Sequence, residues 1–494
     1  DADGKALLPA AVFSRLKRLF PLAAEEELSP EPREEDGMAY IAHPRRALSH
    51  LAVKLNAWHQ GERTASLWWD LYNWYASREE WHEEVKRVLA GVFYANREEP
   101  LKTRTSRRLY GPVLGVSVSR LEKFNACPFN HFVSYGLRLK ERQVYRLDYP
   151  GIGRFYHAAL YRLFKAVAEK GLDWETLTQD SLENIIEDEV DRLMPLLQGE
   201  ILLSSNRYRY LGKQLKETVK RAALVIREQF RRGCFKPVGL EVSFGAGEEA
   251  ASPVFSLEDG TLVRMRGRID RIDMAKGRDG RYYLRVVDYK SSGARLDPAE
   301  IYYGLSLQLL FYLGIALDLA AERLGEEVLP AGALYFSIRL PLLKEKHPLP
   351  LEEAQKKLFK AYRMKGRVLK DPEAARLMDK NLTAGSSEIV PLALTADGFH
   401  KNSSLFELRE FSMLGEFIEK IIREASREIV TGEISIAPFS LKGKKACRFC
   451  PNKAVCQFDP KLTGNRYRFL QWDREDVMLG KIEAAVGRRE GKDD

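Results

Sequence analysis

Asp270, Asp288 and Lys290 are the residues of this chain whose types and spacing can do chemistry together. They stand in TLVRMRGRIDRIDMAKGRDGRYYLRVVDYKSS, Thr261 to Ser292, where two runs rich in β-branched and aromatic residues flank Lys276-Gly277-Arg278-Asp279-Gly280. That pattern predicts a β-hairpin. Side chains alternate across a strand, so Asp288 and Lys290 share a face while Tyr289 points the other way. On the preceding strand Arg268, Asp270 and Ile272 share a face, and hairpin pairing can set Asp270 beside Asp288. Two carboxylates on adjacent strands repel unless a cation sits between them, and a hard oxygen site of this kind suits Mg2+ or Mn2+, which accept phosphate oxygens. A lysine two residues from one ligand can orient or help deprotonate a water beside a scissile phosphate. That chemistry is phosphodiester hydrolysis. The competing reading of the same residues is a set of edge charges, with Asp270 and Asp288 paired to Arg268, Arg271 or Lys290.

A second group lies near the end of the chain. Cys447-Arg-Phe-Cys450 followed by Cys456 gives Cys-x2-Cys-x5-Cys, and five cysteines in 494 residues do not make a disulfide framework. Three thiols so close in a reducing compartment predict a metal centre that needs a fourth ligand. Cys127 is the candidate, whereas Cys234 matches no motif. Four thiolates suit an iron-sulfur cluster or a structural zinc ion.

The elements that must position these residues follow from periodicity. SVSRLEKFNACPFNHFVSYGL opens with Ser119 and Glu122 in capping-box spacing, and Cys127 falls near its middle. GIGRFYHAALYRLFKAVAEKG is a helix with His157 on a side shared with Leu160, Tyr161 and Phe164, which by itself reads as a core histidine. VGLEVSFG is a strand that introduces Glu241, and AEIYYGLSLQLLFYLGIALDLAAERLG is read as one helix with Gln308 and Tyr312 on one face. ALYFSI, 333 to 338, is a buried strand, PLALTADGFHKNSSLF resembles a small hairpin, and SMLGEFIEKIIREASREIVTG is read as a helix pair. Residues 1 to 105 read as helices, in which Trp68, Trp69, Tyr72, Trp74 and Tyr75 have the spacing of packing aromatics. Lys102 to Arg108, KTRTSRR, has the composition of a linker.

The length suffices for roughly two to four domains. A net charge of +9 with 30% charged residues permits a polyanionic partner without requiring one. No G-x-x-x-x-G-K-[ST] phosphate loop, signal-peptide pattern or long apolar run occurs, so the expectation is a soluble, cytoplasmic protein with no nucleotide motor in this stretch. The start at Asp1, inside a helical pattern, suggests a piece of a longer polypeptide.

GRIDRID followed by VVDYKSS resembles the PD-(D/E)XK nucleases of the RecB type, with Asp270, Asp288 and Lys290 at the Asp, Asp and Lys of that pattern. The resemblance implies an α/β fold, a mixed central sheet flanked by helices (a restriction-endonuclease-like core) with additional helical segments. Gly153 to His157 fits the family's Gly-x-x-x-His helix, whose His reaches the metal, so the implied metal set is Asp270, Asp288 and His157. Gln308 and Tyr312 fit a Gln-x3-Tyr motif implicated in positioning DNA, and Glu241 is a weaker supporting acid. The cysteines, in CPF and CRFCPNKAVCQFD, resemble the iron-sulfur staple of the AddB family, the B subunits of bacterial helicase-nucleases. That implies a 4Fe-4S cluster on Cys127, Cys447, Cys450 and Cys456, a nuclease domain over 106–494, and the tail of a helicase-like region over 1–105. It further implies a Mg2+- or Mn2+-dependent exonuclease that cuts the 5′-terminated strand during double-strand-break processing and recombination, as a heterodimer with an AddA-type subunit. Two other readings stay open: another kind of iron-sulfur RecB-type nuclease, and a non-catalytic DNA-binding subunit that keeps the fold.

Overall fold

The computed structural model describes residues 10–24, 37–142, 145, 147–196, 201–245, 247, 250–251, 253–291, 293–339, 343, 345, 347–462 and 464–487. Ser292, the last residue of the hairpin stretch, lies outside them. Two compact units result, Asp1–Asn96 with Leu462–Gly464, and Arg97–Lys461 with Asn465–Asp494. The first contains helices Pro44–His59, Ser66–Ala76 and His82–Val92 around a core of its own that includes Leu51, Leu55, Trp68, Leu71, Tyr75 and Val85. Trp68 and Tyr75 are buried there, as their helical spacing predicts, while Trp74 remains partly exposed beneath Arg78.

The second unit is built on a six-stranded mixed sheet. Its strands are β1 (Lys236–Phe244), β2 (Gly267–Lys276), β3 (Tyr282–Lys290), β4 (Val328–Ser337), β5 (Lys365–Leu369) and β6 (Leu405–Phe406), adjacent in chain order. β1, β2 and β3 pair antiparallel, β3 and β4 parallel, β4 and β5 antiparallel, and β5 and β6 parallel. β4 is buried along nearly its whole length, which is why it reads as a continuous apolar run rather than an alternating one. The hairpin forms where the sequence predicts it, in the register Arg271↔Val287 to Lys276↔Tyr282, and one further step sets Asp270 opposite Asp288.

The helices of this unit include α1 (Thr103–Tyr110), α2 (Val118–Ala126), α3 (Tyr149–Glu169), α4 (Asn206–Arg232), α5 (Pro298–Tyr302), α6 (Gln308–Leu324) and α7 (Leu408–Thr431). They correct four expectations. The expected linker at 102–108 is α1, anchored by buried Ser106, whose Oγ donates to the carbonyl of Ile429 at 2.8 Å. Helix α2 starts two residues earlier than the capping box suggests: Ser117 Oγ, not Ser119, accepts from Arg120 N. The single helix expected from Ala299 onward breaks between Tyr302 and Gln308, where Gly304 takes φ +67° and its carbonyl accepts from Asn125 Nδ2 at 3.0 Å; a Cβ there would collide with Asn125. The expected helix pair is one helix, α7, because the apolar stripe Phe411, Leu414, Phe417, Ile418, Ile422, Ile429 is unbroken and Gly415 costs too little to end it.

On the sheet face opposite Asp270, Arg271 and Arg285 are fully buried around one carboxylate. Arg271 Nε is 2.9 Å from Asp273 Oδ1, and Arg285 Nε is 2.9 Å from Asp273 Oδ2. Arg271 also donates to Tyr289 OH at 3.2 Å and packs against the Phe164 and Phe230 rings of α3 and α4. This network fixes Tyr289, whose backbone N–H holds Asp270 on the other side. Removing the carboxylate strands two guanidiniums in a dry interior, so Asp273→Ala is expected to cost about 3–5 kcal/mol. A urea titration should show a lower midpoint with unchanged slope.

Candidate active site

Helix α3, strand β1 and helix α6 converge on the two acids of the hairpin. Asp270 of β2 is nearly buried, with Oδ2 accepting from Tyr289 N at 2.7 Å and Oδ1 lying 3.2 Å from His157 Nδ1. His157, on α3, contacts the carbonyl of Tyr289 through Nε2 at 3.1 Å. A carbonyl only accepts, so Nε2 carries a hydrogen and the lone pair of the neutral ring sits on Nδ1, facing Asp270. Two acceptors facing each other at that distance call for a proton or a cation between them. Burial works against an imidazolium here, but the hydrogen bond and charge of Asp270, with the charges of Glu241 and Asp288, raise the His157 pKa on balance.

Glu241 completes the cluster from β1. It adopts φ +49° inside a strand, a conformation costly for any residue with a Cβ and one that concentrates at functional sites. Its Oε1 is 3.9 Å from His157 Nδ1, and its Oε2 is 2.7 Å from Arg268 Nε, a contact too poorly aligned to be a hydrogen bond. Burial and the charge of Asp270 raise its pKa, against the opposing pull of Arg268. His157, Glu241 and Asp270 each offer a ligand atom within 4.8 Å of the others. Glu241 thus takes a closer place than the supporting one the sequence suggests, while Asp288 is not in that tight set.

Asp288 sits on β3, almost fully buried, with its pKa pushed up to about 6 by burial and by the charge of Asp270, eased by Lys290. Lys290 Nζ is 2.8 Å from Asp288 Oδ2, again without hydrogen-bond alignment, and donates to Gln308 Oε1 at 3.2 Å. Tyr312, one turn along α6, is buried on the same helix face as Gln308, with its ring edge-on to Phe244. Of the edge-charge pairings, only Asp288 with Lys290 occurs. Arg268 goes to Glu241 and Arg271 to Asp273.

Sequence reasoning missed Glu122. Helix α6 has no cap of its own; instead Oε1 of Glu122, from α2, accepts from both Leu307 N at 2.7 Å and Gln308 N at 3.1 Å. It therefore sets the residue that sets Lys290. No local spacing signals a cap supplied from 185 residues away. Burial pushes Glu122 up to about 7, against the pull of those two amides. Both bonds use Oε1, so Oε2 can carry the proton without loosening the cap. A carboxyl with a raised folded pKa contributes stability fully below its unfolded pKa and loses it as pH rises through the folded value. Unfolding free energy of the wild type relative to Glu122→Gln, a mimic of the neutral form, is thus expected to be larger at pH 4.5 than at pH 8, with the change spread between about 4.5 and 7. Denaturant titrations at the two pH values measure it.

The four cysteines named by spacing form a separate cluster of free thiols. Cys127, buried at the start of a short helix after α2, has its pKa pushed up to about 11 by burial, with backbone hydrogen bonds from Asn130, Phe129 and Ala437 and the charge of Cys447 acting on it. Cys447 in turn feels Cys450 and Cys456. The two segments are tied by Phe129 N to Ser435 O at 3.1 Å and by Asn452 Nδ2 to Asn130 Oδ1 at 2.8 Å. Cys234 follows α4 and lies beside Arg376, apart from this group.

Comparison with known proteins gives the family. The family model of the PD-(D/E)XK nuclease superfamily matches residues 115–457, and that of the ATP-dependent helicase/deoxyribonuclease AddB fifth domain matches residues 33–91. Among curated proteins, the chain is similar to the ATP-dependent helicase/deoxyribonuclease B subunit of Pelotomaculum thermopropionicum, 43% identical over 486 residues, 98% of this chain and 42% of that one. The proteins of the same name from Geobacillus thermodenitrificans (41% over 496 residues, 99% and 42%) and Bacillus subtilis (40% over 487 residues, 98% and 42%) are likewise similar. The chain thus spans about two fifths of the length of these relatives. The matched region contains the mixed sheet, the acids, the lysine and the cysteines, and the chain belongs to the PD-(D/E)XK nuclease superfamily.

Proposed function

We propose that this chain is the nuclease-bearing part of a B subunit of a bacterial helicase-nuclease, and that it hydrolyses DNA phosphodiester bonds with the help of Mg2+ or Mn2+. The observation that carries this reading is the cluster of His157, Glu241 and Asp270 beside a lysine held between Asp288 and Gln308. Three donors of this hardness fit a divalent cation, and the paired acceptors of His157 and Asp270 are what a cation relieves. Bound there, such an ion neutralises phosphate charge and makes its water a stronger acid.

The chain's own residues supply the rest. Tyr289 holds Asp270 by its N–H and His157 by its carbonyl, so one backbone unit sets the orientation of two ligands. Glu241 is fixed by Arg268. Lys290, held between Asp288 and Gln308, offers its ammonium to the attacking water or to the oxygens that gain charge in the transition state. Gln308 is set in turn by Glu122.

The names of the relatives support DNA as substrate and the existence of a partner subunit, which on our reading is of the AddA type, and a net charge of +9 is compatible with a polyanion. The expected reaction is exonucleolytic cutting of the 5′-terminated strand during double-strand-break processing and recombination in the cytoplasm. The test is Mg2+-dependent digestion of 5′-labelled single-stranded DNA by the full-length protein with its partner, with and without Asp288→Ala. Equal cutting by both proteins, or no cutting by the wild type, rejects the reading. We further propose that Cys127, Cys447, Cys450 and Cys456 hold a 4Fe-4S cluster with a structural role, since they stand on the two segments that Asn130 and Asn452 tie together and none belongs to the cluster around Asp270.

A further inference from the structure

The space beside Lys290 is not confined to the acids. A groove of about 700 Å3 is lined by Lys290 and Gln308 and also by Arg295, Lys365, Lys442 and Trp472. Among the described residues, no carboxylate pairs with Arg295, Lys365 or Lys442. The acids of the same groove are all engaged. Glu122 caps α6, Glu300 pairs with Lys444, and Asp297 accepts from Ala299 N at 2.9 Å and from Trp472 Nε1 at 3.3 Å. Neutral donors leave the charges of Glu122 and Asp297 in place, but three cations without a carboxylate partner outnumber those two acids, so the groove is positive on balance.

Trp472 is held in an unusual way for a residue 41% exposed. Its indole N–H is fixed by Asp297, and Lys442 Nζ lies 3.5 Å from its ring centroid. Lys442 reaches that position from a two-residue turn, Lys442-Gly443, which joins strands Phe439–Leu441 and Lys444–Lys445 with φ of +46° and +80°. Glycine and asparagine favour such a turn; a lysine in its first position is a local strain that the fold retains. An aromatic ring fixed in plane and still 41% exposed, with Lys442 over one face and further cations in the same groove, leaves its other face for a base, and such a platform beside cations binds single-stranded nucleic acid without reading its sequence.

We propose that this groove holds the single DNA strand next to the scissile phosphate, with Trp472 stacking on a base and Arg295, Lys365 and Lys442 taking backbone phosphates. The proposal rests on the nuclease reading of the adjoining site. Trp472 follows the last cysteine by 16 positions, so the segment that brings the cysteines together also builds this face of the groove.

The test uses the full-length protein with its partner subunit. In an Asp288→Asn background, binding of a short labelled single-stranded oligonucleotide is expected to weaken about tenfold with Trp472→Ala and to recover with Trp472→Phe. Lys365→Gln with Lys442→Gln should reduce the slope of log affinity against log salt by about 1.4, the loss of two phosphate contacts. With Asp288 intact, the same variants should lower kcat/KM on the oligonucleotide about tenfold yet leave hydrolysis of thymidine 5′-p-nitrophenyl phosphate, which is too small to span the groove, unchanged. Should Trp472→Ala fail to fold, Trp472→Phe and the lysine pair carry the test. Wild-type binding, salt slope and oligonucleotide cutting in the lysine pair and in folded Trp472→Ala overturn the proposal and leave the nuclease reading standing. A wild type that cuts neither substrate, with binding still lost in the variants, overturns the nuclease reading and leaves the groove as a DNA-binding site.

Discussion

Lys290→Ala and Asp288→Ala are each expected to reduce hydrolysis of single-stranded DNA by at least about 10²–10³-fold, and the double variant to be little worse than either. Lys290 Nζ stands 2.8 Å from Asp288 and 3.2 Å from Gln308, so removing the carboxylate releases the ammonium as surely as deleting it. Groups that serve one step as a unit do not contribute additively. Affinity for DNA should change little in all three proteins, because phosphate contacts are spread over many cations. Rates from single-turnover digestion, with binding measured in parallel, give the comparison. A Lys290→Ala protein that cuts at the wild-type rate would move the chemistry away from this hairpin.

The second large effect concerns the cysteines. Anaerobically purified protein is expected to be brown, with broad absorbance near roughly 400 nm and about four irons per chain. Cys127→Ala should lose iron and colour as fully as Cys450→Ala, whereas Cys234→Ala, altering a thiol beside Arg376, should keep both. Cross-linking residues some 320 positions apart removes loop-closure entropy worth about 6 kcal/mol from the unfolded chain. For a unit of nearly 400 residues that is roughly 7 °C in Tm. Colourless protein with one zinc, or a Cys127→Ala protein with full iron content, overturns the assignment.

The hairpin, the burial of 333–338, the Gln308–Tyr312 face and the meeting of Cys127 with the terminal cysteines were legible because each depends on local periodicity or on a spacing pattern. What the sequence hid were relations between distant segments. Gly304 ends a helix because Asn125 crowds it, and nothing within AEIYYGLSLQ announces that neighbour. Glu122 looked like half of a capping box for its own helix; it caps another one, and only the folded arrangement of α2 against α6 reveals this. The left-handed backbone of Glu241 is likewise invisible, since propensity disfavours it there. KTRTSRR has linker composition, yet the single small Ser106 lets the helix lie close against α7 and satisfy a carbonyl.

The tie between the segment at Cys127 and the end of the chain also bears on how the protein is made. Phe129, Asn130 and Asn125 find partners in Ser435, Asn452 and Arg468, which the ribosome adds more than 300 residues later. At about 5–20 residues per second, the early segment waits roughly 15 to 70 s for them. During that interval Cys127 has no terminal segment to bury it, and it is open to oxidants and to stray thiols. The domain can close only after release of almost its entire length, so a truncated or stalled nascent chain retains the hairpin acids while lacking the contacts that shield its first cysteine.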